Sequence, residues 1–301
     1  MTAVIHASAL SKSYHGRAAL RGIDLDVPGG VIFGYLGPNG AGKTTTIRLL
    51  AGLLRPTGGR AEVCGFDTVR DRERAQRRIG YLPGEFVGYP DLTGEQYLRY
   101  LANLRGGVDP SVVRDLAGRL DLELTVRIGT LSHGNRQKIG IVQAFMHQPE
   151  VLLLDEPTSG LDPLVQREFL AMLREVRDQG RTAFLSSHVL YEVEAVADMV
   201  AILRRGQLVV VESVDKLKAQ AMRRIDLTFE GQPPLAELQA ATGVREARAS
   251  GPAAHVMVEG STAAMLRVAA PHGVAQIVTH EPDLEEIFMT YYGQGATDDA
   301  G

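Results

Sequence analysis

Short apolar runs alternate along this chain with longer stretches in which apolar residues recur every three or four positions. Val31 to Leu36 reads as a strand, and Thr45 to Leu54 after it reads as a helix. Val151-Leu-Leu-Leu154 is an uninterrupted aliphatic run, the pattern of a strand buried on both faces of a parallel sheet. Thr182 to Ser186 is another apolar strand. The helix after Asp162-Pro163 turns Val165, Phe169, Met172, Leu173 and Val176 inward. Strand and helix alternate from Val151 to Val211, which predicts an α/β core: a mostly parallel sheet flanked by helices. Arg204-Arg-Gly-Gln207 predicts a hairpin between Val200–Leu203 and Leu208–Val211.

The first 30 residues predict short N-terminal antiparallel strands, with turns at His15-Gly16 and Pro28-Gly29-Gly30. Pro56-Thr-Gly-Gly59 then leads into a strand-like Ala61–Cys64. From Asp91 to Gln148 the signals are helical. Thr93-Gly-Glu-Gln96 fits a capping box, with Leu98, Leu101 and Leu104 on one face behind it. Asp109-Pro110 opens a further helix with proline at its first position. Ser132 sits where another helix starts, and Arg136 to His147 carries Ile139, Val142, Phe145 and Met146 at helical spacing.

Beyond Asp215 the composition changes. A linking helix to Met222 precedes strand Ile225–Phe229, helix Leu235–Ala241, strands Val244–Ala249 and Ala253–Val258, helix Thr262–Ala270 and strand Ala275–Thr279. That succession, β-α-β-β-α-β, is the order of a ferredoxin-like unit. The expected division is a first domain over 1–214, with a helical subdomain at about 85–148, and a small α+β accessory domain over 215–301. A last helix, Asp283 to Tyr292, has Leu284, Ile287, Phe288 and Tyr291 on one face and is expected to dock on its own domain or on a dimer mate. The tail Gly293 to Gly301 is expected to be disordered.

Two segments carry chemistry. Gly37-Pro38-Asn39-Gly40-Ala41-Gly42-Lys43-Thr44-Thr45 lies between a strand and a helix. Its glycines let backbone N–H groups converge on a polyphosphate, the helix N-terminus adds its positive end, and Lys43 supplies a point charge. Thr44 then has its hydroxyl placed for Mg²⁺. This pattern implies a bound nucleoside triphosphate. The Val151–Leu154 run ends in Asp155-Glu156-Pro157, at the strand edge where open α/β sheets bind ligands. Asp155 is the expected Mg²⁺ partner, through water. Glu156 is the candidate base that orients and deprotonates the attacking water.

Between and after these elements stand Leu131-Ser132-His133-Gly134-Asn135-Arg136-Gln137, Ser159-Gly160-Leu161-Asp162 and His188. In this order and spacing the motifs resemble those of the ATP-binding subunit of an ABC transporter, over residues 1 to about 214. The resemblance implies a P-loop NTPase fold of the ABC type, with ATP and Mg²⁺ as cofactors. It also implies a head-to-tail dimer in which each P-loop faces the partner's Ser132 and Gly134, with Asp162 at the nucleotide. His188 is implied to contact the γ-phosphate beside Glu156 and Lys43. Tyr14 is the aromatic implied to stack on adenine, with His15 the alternative. Where relatives carry glutamine, this chain has Gly84, which has no side chain to touch Mg²⁺ or the attacking water. Glu85 is expected to face a partner, since a carboxylate beside Glu156 and triphosphate would be repelled. Pro282-Asp-Leu-Glu-Glu-Ile-Phe288 resembles the end of ABC-2 type exporter ATPases, whose partners are small permeases moving drugs, antibiotics or lipids.

Composition narrows the setting. At 301 residues, 45% hydrophobic and 23% charged, the chain has ample core for one large domain and a smaller one. A net charge of −4 with no basic stripe gives no reason to expect nucleic acid. The basic cluster Arg70 to Arg78 is broken by Asp71 and Glu73 and reads as a solvated helix face. The single cysteine, Cys64, fits a reducing cytosol, and no run approaches the length of a membrane span. The expected setting is cytoplasmic, on the inner face of the cell membrane through a separate transmembrane permease subunit. The ATPase dimer is expected to pair either two copies or two related subunits. Two other readings compete: a soluble regulatory ATPase acting on ribosomes or DNA, and a scaffold that uses ATP only to dimerise.

Overall fold

His15 and Gly16 have φ of 46° and 81°, the left-handed pair whose twist matches a two-residue hairpin. They join β1 (Ala3–Tyr14) to β2 (Arg17–Pro28) in a computed structural model that describes residues 3–280 and 282–293. Each strand runs for 12 residues, in place of the short strands expected. Register shifts between Ala7 and Leu10 and between Lys12 and Ser13 break the in-out alternation, so one bulged strand reads locally as several. With β4 (Gly58–Val63) and β5 (Phe66–Asp67) they form an antiparallel sheet in the order β2-β1-β4-β5.

The second sheet holds β3 (Ile32–Leu36), β6 (Ile79–Leu82), β7 (Val151–Asp155), β8 (Thr182–Ser187), β9 (Met199–Arg204) and β10 (Gln207–Ser213). Its order is β10-β9-β3-β8-β7-β6, and β9-β3, β3-β8, β8-β7 and β7-β6 pair parallel. Every residue of β3, β7 and β8 is buried, as their unbroken apolar runs require. The core lies between the two sheets and takes in α1 (Lys43–Leu50): Ile5, Leu25 and Val63 meet Phe33, Tyr35, Leu153, Phe184 and Ile47. Phe184 stacks on Phe33 at 5.4 Å and leans on Tyr35 at 5.1 Å. The Arg70–Arg78 cluster falls largely on α2 (Arg72–Arg78), where Ala75 is buried and the arginines are exposed.

The helical insertion contains α3 (Gly94–Leu104), α4 (Pro110–Arg119) and α5 (His133–Phe145). The capping box forms as expected: Gln96 N–H donates to Thr93 Oγ1 at 3.2 Å, and Thr93 N–H to Gln96 Oε1 at 3.0 Å. Asp109 caps α4 through Ser111 N–H. Arg119 of α4 grips Glu168 and, with both terminal nitrogens, Glu175, which ties the insertion to α6 (Pro163–Asp178). A short helix, α7 (Leu190–Glu194), follows β8. The helix after the glycine-rich loop differs from its expected bounds at both ends. The helix expected from Thr45 to Leu54 spans Lys43–Leu50, because Gly42 at φ 115° caps its start and Gly52 at φ 66° stops the chain beyond its end. Helix α5 begins at His133, directly after its Ser132 cap, as the sequence reading expected.

The chain separates into two compact units that meet in sequence at Val211 and Glu212. The second holds α8 (Val214–Gln220), β11 (Arg223–Phe229), α9 (Leu235–Ala240), β12 (Val244–Ser250), β13 (Ala253–Val258), α10 (Ala263–Ala269), β14 (Val274–His280) and α11 (Leu284–Gly293). Its sheet, in the order β12-β13-β11-β14, is antiparallel throughout, which realises the ferredoxin-like arrangement. Ile225, Leu227, Phe229, Val256 and Val258 pack on Leu238 and Met265 from its helices. Helix α11 docks within this unit: Ile287 and Tyr291 line one cleft with Leu217 and Met257, and Leu284 is buried. Gly293 closes α11, and the rest of the expected disordered tail, 294–301, lies outside the described residues. Among the described residues no helix is long and apolar enough to cross a membrane.

Phe184 is fully buried between two rings, so Phe184→Ala should lower the unfolding free energy by about 3–5 kcal/mol. Urea unfolding followed by far-UV circular dichroism would measure the loss.

Candidate active site

The site grows from adjacent strand ends. Parallel pairing sets Leu36 beside Ser187 and Asp155 beside Ser186, so the turns after β3, β7 and β8 leave the sheet together. The first turn holds Gly37–Gly42. A Cβ at Gly37 would lie 2.5 Å from Leu203 O, and one at Gly42 would lie 2.7 Å from Ala19 O. Only glycine lets the loop pass that close to β9 and β2. Gly37 and Ala41 are buried, Pro38, Asn39 and Gly40 are exposed, and Thr44 and Thr45 are half-buried in the first turn of α1. That turn's N–H groups have no helical acceptor and form an anion cradle. Lys43 is 6% exposed. Its ammonium donates to Gly37 O at 2.6 Å and lies 3.3 Å from Glu156 Oε1.

The second turn is held by hydrogen bonds from the third. Ser186 Oγ donates to Asp155 Oδ1 at 2.7 Å, and Glu156 N–H donates to Ser186 Oγ at 3.1 Å. Thr44 Oγ1 donates to the same Asp155 Oδ1 at 3.1 Å. Glu156 adopts φ 48°, a left-handed conformation that costs a side-chain-bearing residue roughly 1–2 kcal/mol. This bend turns its carboxylate back over the loop: Oε1 faces Lys43, and Oε2 lies 2.6 Å from His188 Nδ1. Structure therefore brings Lys43, Thr44, Asp155, Glu156 and His188 together.

Thr44 and Asp155 supply two hard oxygens side by side. Mg²⁺ takes one or two protein oxygens and fills its shell with phosphate and water, so this donor set fits it. Among the described residues no group of three or more His, Cys, Asp or Glu side chains forms a closed metal cage. Gly84 lies against this corner: a Cβ there would stand 3.2 Å from Asp155 Oδ2. Glu85 is exposed.

The remaining candidates lie on α5, at the start of α6 and on the first hairpin. Ser132 is exposed, caps α5 and accepts from Asn135 N–H at 3.3 Å. Gly134 packs under Gly160, where a Cβ would meet Gly160 O at 2.3 Å, and the His133 ring covers Gly160 itself. Asp162 caps α6 by accepting from Leu164 and Val165 N–H at 3.1 Å. These backbone donors, Val165 first, hold its carboxyl below the usual range. Tyr14 is 41% exposed at the tip of the β1–β2 hairpin, with Lys12 Nζ 5.3 Å from its ring centre, and His15 occupies the turn. That hairpin reaches the P-loop through Ala19.

Sequence reading missed four buried polar residues behind the site. Ser186 is fully buried. Gln137 is fully buried, and its amide donates to Pro157 O at 3.2 Å and Glu156 O at 3.4 Å. Thr158 Oγ1 donates to Glu192 Oε2 at 2.5 Å, both buried. Local signals existed. Ser186 ends an otherwise apolar strand, and Gln137 leads a helix with no polar face from Ile139 to Val142. Glu192 falls four residues after His188.

Residues 20–159 match the ABC transporter family. Over a 310-residue alignment the chain is 34% identical to the fluoroquinolones export ATP-binding protein of Mycobacterium tuberculosis, covering 98% of this chain and 95% of that one. It is 33% identical over 235 residues to the bacitracin transport ATP-binding protein of Bacillus licheniformis, covering 77% of each. A solved ATP binding subunit of an ABC transporter superposes with a TM-score of 0.67 at 30% identity, covering 72% of this chain and 92% of that chain. The chain belongs to the family of ABC transporter ATP-binding proteins. It has the ABC-type P-loop fold and is an ATPase that works with ATP and Mg²⁺.

Ser186→Ala should cost about 1–3 kcal/mol in urea unfolding, because Asp155 Oδ1 loses a donor and Glu156 N–H loses one of its acceptors. A second test concerns Glu192. Burial pushes its carboxyl above the ordinary 4.5; Glu156 adds to this, while Thr158 and His188 oppose it. The folded state thus holds this proton more tightly than the unfolded chain. The contribution is fully present below 4.5 and is lost as pH rises through the raised value. Glu192→Gln should remove that decline, so wild type should lose stability relative to the variant between pH 4.5 and neutrality.

Proposed function

We propose that this chain is the motor subunit of an ABC-2 type exporter, hydrolysing ATP to drive a separate permease that expels drugs, antibiotics or lipids. The convergence of Lys43, Asp155, Glu156 and His188 at one sheet edge supports the motor reading. The cargo class rests on relatives named for fluoroquinolone export and bacitracin transport. The fluoroquinolone relative aligns through the ferredoxin-like unit as well, so the likeness extends beyond the ATPase core. A regulatory ATPase on ribosomes or DNA is not favoured, since these relatives are named for transport.

The chemistry follows from the site's charges. Triphosphate oxygens entering the loop take Lys43 from Glu156, because a polyanion outcompetes one carboxylate for the ammonium. Thr44 and Asp155 would hold Mg²⁺, which would supply charge neutralisation at the phosphates. Glu156, freed on its Oε1 side and steadied by His188 on Oε2, accepts a proton from the attacking water. Ser132 and Gly134 of a second cassette, whether a copy or a related subunit, close the site at the γ-phosphate. Their helix N-terminus presents free N–H groups to it. Tyr14 stacks on adenine, and Asp162 steadies the turn entering α6.

An exposed aromatic surface supports a permease-facing side on the helical insertion. Phe86, Tyr97, Tyr89 and Tyr100 form a chain of edge-on rings at centroid distances of 5.6, 6.0 and 6.2 Å. Its outer members Tyr89 and Tyr100 are exposed, as are Val87 at 79% and Leu104 at 67%. Gly84, two residues before Phe86, lies against the Asp155 corner, so an apolar permease loop seated on these rings would act on the site through the backbone between them. That contact would hold the chain on the inner face of the membrane.

Glu156→Gln should bind ATP with wild-type affinity, lose about 10²–10⁴-fold in kcat, and accumulate as an ATP-bound dimer on size exclusion. Unimpaired phosphate release would remove Glu156 as the base. Lys43→Ala should weaken ATP binding by about tenfold or more, since a charge-assisted hydrogen bond contributes about 1.5–3 kcal/mol; nucleotide titration reads this directly. Leu104→Asp should leave the basal ATPase rate intact and abolish its stimulation by co-expressed permease.

A further inference from the structure

Glu156 keeps a left-handed backbone at φ 48° while its turn carries the reaction. Two buried side chains hold that turn from opposite sides. From α5, Gln137 donates its amide to the carbonyls of Glu156 and Pro157 at 3.4 and 3.2 Å. From α7, Glu192 accepts the Thr158 hydroxyl at 2.5 Å. Gln137 is 0% exposed and Glu192 3%.

Neither residue is what stability alone would select. Gln137 Oε1 is buried with no hydrogen-bond partner among the described residues, so the side chain carries an unsatisfied acceptor that leucine would not. Glu192 buries a carboxyl beside Glu156 and His188. Where side chains break the packing rules of a core, the expected reason is function.

We propose that Gln137 and Glu192 form a clamp of positioning residues that fixes the aim of Glu156 and links it to the Ser132 loop. The proposal rests on Glu156 being the base. Gln137 sits five residues after the Ser132 cap on one helix, so displacement of the α5 N-terminus is carried rigidly to the Glu156 carbonyl. Glu192 does the same for the His188 segment, since α7 begins two residues after that histidine. A nucleotide closing on Ser132 in one site therefore tightens the base in the other site of the dimer. The direct His188–Glu156 contact at 2.6 Å then joins two segments already held in register.

The test uses steady-state ATPase, equilibrium MgATP titration and melting temperature of the full chain. Gln137→Leu and Glu192→Leu should each lower kcat at least tenfold while ATP affinity stays at the wild-type value and the melting temperature, lowered by the lost hydrogen bonds, stays above the assay temperature. Glu192→Gln, which keeps a partner for Thr158, should retain kcat within twofold. If Gln137→Leu does not fold, Thr158→Val decides, since it removes the second tie without changing shape. Wild-type kcat in the leucine variants, or a fall matched by lost ATP affinity, would overturn the clamp. Glu156→Gln run alongside separates the two ideas: if it alone loses turnover, the base stands and the clamp fails. If it keeps turnover, the base assignment itself is wrong.

Discussion

Three parallel strands, β3, β8 and β7, end side by side, and that adjacency gathers the charged and polar groups of the candidate site. It brings a lysine from the first turn, a serine and a histidine from the third, and two carboxylates from the second within hydrogen-bonding reach. The central contact is Lys43 to Glu156. A 6% exposed ammonium needs a counter-charge, and the Glu156 carboxylate supplies it. The same pair keeps Glu156, the proposed base, close to the glycine-rich loop proposed to take the phosphates.

Holding this arrangement has a structural cost. Glu156 is bent into a left-handed conformation, and Ser186, Gln137, Thr158 and Glu192 are polar groups buried behind it. Such a turn persists only when its surroundings over-determine it. Here the N–H of Glu156 is bound by Ser186, its carbonyl by Gln137, and its carboxylate by Lys43 and His188. The apolar core under the sheet, from Phe33 through Leu153 to Phe184, supplies the stability that offsets these costs.

The two units use their sequence differently. In the second, alternation along β11 and β13 places Ile225, Leu227, Phe229, Val256 and Val258 on one face, so each strand is legible from its pattern. In the first, β3, β7 and β8 are buried on both faces and read as plain aliphatic runs, which identifies them but says nothing of their neighbours. Strands β1 and β2 were harder, because bulges reset the alternation partway along.

Sequence alone determined the class of chemistry: a glycine-rich loop with lysine, an aliphatic strand ending in two carboxylates, and a serine-capped helix are local patterns with local causes. It also determined the element order of the second unit and the strand–helix alternation from Val151 to Val211 in the first, because period and turn residues act over a few positions. Tertiary structure decided which groups meet. Gly84 lies against Asp155, Gln137 grips the Glu156 turn, Ser186 bridges two strand ends, and Glu192 takes the Thr158 hydroxyl. These contacts depend on strand order and on burial of polar groups between distant segments, and no window of neighbouring residues contains that information.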